Sequence, residues 1–308
     1  METIGTRIDR AVHCEPRRLV PAPPAPNGVK IELARTCNFS CKFCNHSNLP
    51  AKSGHMEWSL YTRIIDELKQ IGVREVAPFF YGESFTSPRL ADAIQYASDK
   101  GFANVFLTTN GSLAYPEAVA ACMKAGLKSL KFSMNYADAK QFNEITGRQP
   151  SWFARIASNV REAKRIRDEG KYECSLSASY ILYDEKQAER MKPFLDEMRP
   201  YLDQIYALPM YGIPSTLKNA TFVAGNTGRA ENPVPPLPCW VLFTAAHINY
   251  DGEVFACSFN VGEEFAMGNL EWQSFMSIWH SEKFQALRRA HLALDVRGTA
   301  CERCIIPH

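Results

Sequence analysis

The chain has 308 residues, 46% of them hydrophobic, enough for one large core domain plus an appendage. Its 35 basic and 33 acidic side chains leave a net charge of +2, which argues against a dedicated nucleic-acid or membrane surface. No apolar run approaches the ~18 residues of a membrane span, and Met1 to Val20 carries no signal-peptide apolar region, so the expected location is the cytoplasm. There, ten cysteines read as ligands rather than disulfides.

In chain order, residues 1–20 read as irregular, and Pro21-Ala22-Pro23-Pro24-Ala25-Pro26 as a stiff extended linker. Val29 to Ala34 is β-branched and apolar, the pattern of a buried strand. Leu60, Ile64, Ile65, Leu68 and Ile71 mark an amphipathic helix capped by Ser59. Val76 to Phe80 is a second strand, and Ser87-Pro88 opens the next helix with Pro88 at its first position. Ala103 to Thr109 is a third strand, Pro116 to Ala125 a helix stopped at Gly126, and Leu130 to Met134 a fourth strand. A helix from Ser151 to Gly170, a strand from Cys174 to Leu182, a helix from Asp184 to Met198 and a strand from Gln204 to Met210 complete six strand–helix units. That alternation predicts a parallel sheet with crossover helices, too short for a closed eight-fold barrel. From about residue 211 Gly and Pro become frequent, which divides the chain into an N-terminal segment and linker (1–28), an α/β domain (29–231) and a cysteine-rich extension (232–308).

Chemistry concentrates in Cys37, Cys41 and Cys44, a C-x3-C-x2-C run directly after the first strand. Loops at the C-terminal ends of strands are where open α/β and barrel proteins build their sites. Three thiolates hold three corners of a cubane [4Fe-4S] cluster and leave one iron open. With His46 as a fourth ligand, a zinc site would also satisfy the spacing. A second set, Cys239, Cys257, Cys301 and Cys304, follows residue 232. Asp251-Gly252 signals a hairpin turn between Ile248–Tyr250 and Val254-Phe255, placing Cys257 at the end of a two-stranded ribbon. A helix containing Trp272, Phe275, Ile278 and Trp279 precedes the closing Cys301-x2-Cys304 knuckle. Four such thiols suit either a [4Fe-4S] cluster or tetrahedral zinc. Cys122 and Cys174 read as core residues, Cys14 has no assigned partner, and His46, His55, His247 and His280 read as surface or packing residues.

The cysteine run, aromatic Phe43 before its last member, and Tyr81-Gly82-Glu83-Ser84 after the second strand together resemble the radical S-adenosylmethionine (radical SAM) enzymes. The usual form of the second motif is Gly-Gly-Glu-Pro; Tyr81 and Ser84 stand at its outer positions. The resemblance implies an open partial (β/α)6 barrel, SAM on the open iron, and Gly82-Glu83 binding the methionine amino group. It also implies further SAM contacts from Phe43, Thr109, Asn110, Ser133 and Asn135. The second cysteine set is similar to the SPASM/twitch extension of that family; its four cysteines imply the shorter, twitch form with one auxiliary [4Fe-4S] cluster. A flavodoxin or ferredoxin is the implied electron donor.

Three functions follow as expectations. The first is hydrogen-atom abstraction from a sugar or aminocyclitol carbinol, ending in dehydrogenation or epimerisation; the cysteine layout is similar to that of twitch-type aminocyclitol dehydrogenases. The second is modification of a ribosomal peptide. The third is a non-catalytic zinc-stabilised scaffold. By position, Tyr136, Arg148 and Tyr211 are candidates for substrate contact, and Cys14, Cys122 and Cys174 for a hydrogen-atom donor.

Overall fold

The structure, a computed structural model, describes residues 3–49, 53–211, 220–259 and 262–305. Six strands run parallel in chain order: β1 (Gly28–Ile31), β2 (Glu75–Ala77), β3 (Asn104–Thr109), β4 (Ser129–Ser133), β5 (Ser175–Leu182) and β6 (Gln204–Pro209). Consecutive parallel strands need long crossovers, and helices supply each one. Here α1 (Ile4–Val12) precedes the sheet, and α2 (Trp58–Gln70), α3 (Leu90–Asp99), α4 (Pro116–Lys124), α5 (Ala139–Thr146), α6 (Ser151–Glu169) and α7 (Gln187–Met198) lie between its strands. The alternation of side chains along a strand splits the barrel wall. Val29, Ile31, Val105, Leu107, Leu130 and Phe132 bury themselves in the apolar layer beneath the helices. Lys30, Phe106, Thr108, Lys131 and Tyr206 line the lumen.

The C-terminal extension is part of the same sheet. After a two-residue ladder of β7 (Gly228–Arg229) and β8 (Asn232–Pro233), β9 (Ala245–Ile248) pairs parallel with β1, from Gly28↔Ala245 to Ile31↔Ile248. Next, β10 (Glu253–Phe255) and β11 (Ala266–Asn269) add antiparallel, giving nine strands in the order β11-β10-β9-β1-β2-β3-β4-β5-β6. Short helices α8 (Val241–Thr244), α9 (Phe275–Trp279), α10 (Glu282–Leu292) and α11 (Glu302–Ile305) complete the extension. A buried ion pair, Arg35 to Glu32 at 2.7 Å, stands just past β1; Glu32 also accepts the backbone N–H of Tyr250 in the β9–β10 turn (3.2 Å). No helix of the described residues is long and apolar enough to cross a membrane.

Several expectations need correction. Residues 4–12 are helical, not irregular: Ile4, Ile8 and Val12 recur at helical spacing, and the Thr3 hydroxyl caps the Thr6 N–H. This helix closes the N-terminal end of the barrel. Gly5 N–H donates to Gln204 (2.8 Å), and Arg7 and Arg10 both pair with Glu75 at 3.0 Å. Strand β2 stops at Ala77 because Pro78 has no N–H for the ladder. Glu57, not Ser59, precedes the α2 helix, and α3 starts at Leu90 after Arg89, two residues beyond Pro88. Trp272 is 72% exposed and precedes α9, whose cap is Ser274. The helix α5, capped by Asp138 and ended by Gly147 at φ +70°, was not expected.

The proline run is more than a stiff extended linker: the C-terminal extension anchors it. Proline carbonyls lack competing local N–H donors and so accept from elsewhere. Trp279 Nε1 donates to Pro24 O (3.0 Å), His280 Nε2 to Pro23 O (2.8 Å), and Arg288 to Pro21 O (3.0 Å). Arg288 is fully buried between the Trp279 and Phe284 rings and also donates to Leu242 O (2.8 Å) and Trp279 O (2.7 Å). Burial lowers its pKa to about 9. Arg288→Met leaves two buried carbonyls and a half-buried one without this donor and is expected to cost about 3 kcal/mol, read as a fall in denaturant midpoint at unchanged far-ultraviolet circular dichroism.

Candidate functional site

The first cysteine loop leaves β1 and is held by helix α5. Ser40 and Lys42 N–H groups donate to Thr146 O (3.2 Å) and Ile145 O (3.0 Å), carbonyls that a helix C-terminus leaves unpaired. Phe39 inserts beside Phe142 (5.6 Å, edge-on), and Phe43 lies against Tyr183 (5.9 Å). Cys37, Cys41 and Cys44 thereby face one cavity of about 180 Å³, shared with Gly82, Glu83 and Asn135. Burial pushes Cys37 up to about 12, and raises Cys41 and Cys44 as well. Buried thiols of this kind ionise when a bound cation supplies the compensating charge. His46 is occupied elsewhere, its Nε2 2.5 Å from Arg35 O.

Opposite the cysteines, Gly82 is required by space: a Cβ there would lie 1.9 Å from Ala34 O. The close approach turns Glu83 into the cavity wall, its N–H donating to Thr36 O (2.9 Å). The Glu83 carboxylate accepts from Thr109 Oγ1 (2.7 Å), Asn110 N–H (2.8 Å) and Phe85 N–H (3.2 Å). Burial raises its pKa in spite of these donors. All three donors are neutral. A buried carboxylate without a cation is complementary to a primary ammonium such as that of SAM.

Thr109 and Asn110 act on Glu83 from the end of β3, and Asn110 does more. Its amide donates to Asn38 Oδ1 (2.9 Å), Asn38 donates to Ser112 Oγ (2.8 Å), and the Ser112 hydroxyl returns to Asn110 Oδ1 (2.6 Å). This ring ties the β3 loop to the cysteine loop. Asn38 and Ser112 were not singled out from sequence, since small polar residues near a turn carry no distinctive spacing. Ser133 and Asn135 stand at the lip between this cavity and a larger one of about 300 Å³.

The second set surrounds an apolar cavity that Cys239, Cys257, Cys301 and Cys304 share with Leu242, Ala256, Phe265 and His291. Cys239 N–H donates to His291 Nδ1 (3.1 Å). Burial lowers His291 to about 4, so the ring is neutral and its hydrogen sits on Nε2. Burial raises Cys239 to about 12 and raises Cys301 too. Among the described residues, no three His, Cys, Asp or Glu side chains converge on the spot a single metal ion would occupy. Each set lines a cavity of its own, and sets of thiolates are the ligands an iron–sulfur cluster takes.

The 300 Å³ cavity lies between the two sets. Phe43, Cys44 and Tyr81 form one wall; Tyr211, Ser258 and Phe259 form the other. Asn45 Nδ2 bridges them to Phe259 O (2.6 Å), and Phe259 N–H points to Cys257 Sγ (3.3 Å). Tyr211 packs edge-on to Phe259 (4.7 Å). Tyr136 is buried against Phe142, and Arg148 follows α5 with its charge acting on Cys37 and Cys41. Cys14, Cys122 and Cys174 lie away from the cavity: Cys122 and Cys174 are core residues, and Cys14 packs near α1.

Residues 31–168 match the radical SAM superfamily, and residues 239–305 match the SPASM iron-sulfur cluster-binding domain. The chain is therefore a radical SAM enzyme with a C-terminal SPASM iron–sulfur domain, which removes the zinc-scaffold reading. It is 30% identical over 144 residues to the AdoMet-dependent heme synthase of Methanosarcina barkeri, covering 46% of this chain and 40% of that one. Among solved structures it is similar to Streptococcus suis SuiB bound to S-adenosylmethionine, with a TM-score of 0.65 at 16% identity over 86% of this chain and 68% of that one. It is also similar to BtrN in complex with AdoMet and 2-DOIA, with a TM-score of 0.54 at 16% identity over 86% of each.

Glu83→Gln removes the negative charge and is expected to weaken SAM binding by about 100-fold, or about 2.7 kcal/mol, measured by equilibrium dialysis of the reconstituted protein. The wild-type carboxylate has a raised pKa, so its ionised form is lost first on acidification. Wild-type affinity is expected to fall as pH drops through that raised value, with Glu83→Gln insensitive over the same range.

Proposed function

We propose that the protein abstracts a hydrogen atom from a small-molecule carbinol, of the sugar or aminocyclitol class, and oxidises it. Cys37, Cys41 and Cys44 would hold a [4Fe-4S] cluster with one iron left for SAM. Cys239, Cys257, Cys301 and Cys304 would hold a single auxiliary [4Fe-4S] cluster, the twitch arrangement. When bound, these groups supply one-electron chemistry: reductive cleavage of SAM to a hydrogen-abstracting 5′-deoxyadenosyl radical at the first centre, and an acceptor for the remaining electron at the second.

The protein's own part is placement. Glu83 takes the amino group of SAM, steadied by Thr109 and Asn110. Ser133 and Asn135 receive the ribose, and Phe43 covers it. Tyr81, Tyr211 and Phe259 keep water from the space where substrate would lie, as a reactive radical requires.

The observation that carries this reading is the 300 Å³ cavity bounded by Cys44 on one side and by the residues after Cys257 on the other. A substrate there has a hydrogen abstractor and an electron acceptor on opposite flanks. Epimerisation by a returning thiol is disfavoured because Cys14, Cys122 and Cys174 are all remote from that cavity, and no other thiol stands outside the two sets; a tyrosine donor would have to be Tyr81 or Tyr211, which line it. The likeness to SuiB, whose structure has also been determined with precursor peptide SuiA, supports peptide modification as a second reading. A flavodoxin or ferredoxin would deliver the reducing electron.

Anaerobically reconstituted protein is expected to be brown and to hold ~8 Fe per chain, falling to ~4 in Cys239→Ala and in Cys37→Ala. Carbinols deuterated at the hydroxyl-bearing carbon should pass deuterium to 5′-deoxyadenosine and leave a ketone. Unlabelled 5′-deoxyadenosine from every carbinol tested, with transfer from a peptide, would move the assignment to the second reading.

A further inference from the structure

Among the described residues, Lys131 is a lysine of the barrel lumen with no carboxylate partner. Lys131 of β4 sits at the junction of the 300 Å³ cavity and a lower cavity of about 210 Å³. Its ammonium lies 6.0 Å from the centroid of the Tyr206 ring. Among the described residues no carboxylate pairs with it. The charges acting on it are Lys30 of β1 and Arg7 of α1, both cationic; the one carboxylate lining the same lower cavity among the described residues, Glu75, is taken by Arg7 and Arg10. Burial, then these neighbours, lowers Lys131 to about 7. Arg7 is held by Glu75 and lies over Phe106 (4.5 Å). Lys30 lies 5.5 Å from the centroid of the Phe79 ring, with Cys257 acting on its charge. The carboxylate at the rim, Glu83, is committed to Thr109 and Asn110.

A second observation falls at the same level. Ser177 pairs directly with Lys131 in the parallel register and so shares its face of the sheet. Its Oγ is fully buried and has no hydrogen-bond partner. Ser179, one step up the same strand, lines the cavity. A lone ammonium flanked by hydroxyls, with cations behind it, is a receptor for an anion.

We propose that Lys131 seats a carboxylate or phosphate group of the substrate, so that the molecule oxidised is an anionic polyol or cyclitol rather than a neutral one. Lys131 is two residues below Ser133 on β4, a drop of about 7 Å. The acidic group would therefore lie several bonds from the carbon presented at the SAM rim. This inference rests on the reading of the 300 Å³ cavity as the substrate space.

The test uses the reconstituted full chain under anaerobic conditions and two probes, inorganic phosphate and succinate. Acetylation of Lys131 by a succinimidyl ester is followed by peptide mass spectrometry, with exposed Lys192 as the internal reference. Saturating phosphate, succinate or both should slow labelling of Lys131 at least 10-fold and leave Lys192 unchanged. Protection by phosphate alone marks a phosphorylated substrate, and by succinate alone a carboxylated one. Calorimetric affinity for the protecting anion should fall at least 10-fold in Lys131→Met and stay within threefold of wild type in Lys131→Arg. Protection by neither anion, unchanged affinity in Lys131→Met, or full protection by SAM alone would overturn the proposal. Failure of wild-type protein to cleave SAM with dithionite would sink the radical reading instead, and the labelling result does not depend on that cleavage.

Discussion

Everything at the open end of the barrel depends on β1 being paired on both sides in the same direction. With β2 on one edge and β9 on the other, two loops distant in sequence emerge at the same rim. One carries Cys37, Cys41 and Cys44; the other leads through β10 to Cys257. The Glu32–Arg35 pair fixes the junction. A buried ion pair contributes little net stability, but misplacing one partner strands the other in a low-dielectric site. Because Glu32 also binds the Tyr250 N–H, the register of the C-terminal hairpin is locked to the strand that launches the first cysteine loop.

The strand–helix rhythm of residues 29–210 was legible because each unit has strong apolar periodicity and its own stop signals. The two cysteine sets and Gly82-Glu83 were legible because their residue types are rare and their spacing is chemical. What escaped was tertiary in origin. Helix α1 has three apolar positions at helical spacing, but they are diluted by charges whose partner, Glu75, comes 65 or more residues later. Parallel pairing of β9 with β1 leaves no local trace. Helix α5 is short, and its part in holding the cysteine loop lies in its terminal carbonyls, which every sequence has. Lys131 belongs to no motif of the sequence; the alternation along β4 turns it inward.

The lumen shows how little of a barrel's inner chemistry follows from its family motifs. Those motifs sit on the rim. The inward positions of β1, β4, β5 and β6 instead carry Lys30, Lys131, Ser179 and Tyr206, a polar set enclosed by an apolar wall. Helix α1 shuts this space from beneath, so its charges are shielded from bulk solvent and act over distances that water would otherwise screen.

The anchoring of the proline run has a bearing on how the molecule assembles. Trp279 and Arg288 reach back across 255 and 267 positions of sequence to Pro24 and Pro21. Contacts so remote form late, after the entropy of closing a very long loop has been met. Residues 21–24 therefore gain these donors only after residues 279–288 have been made.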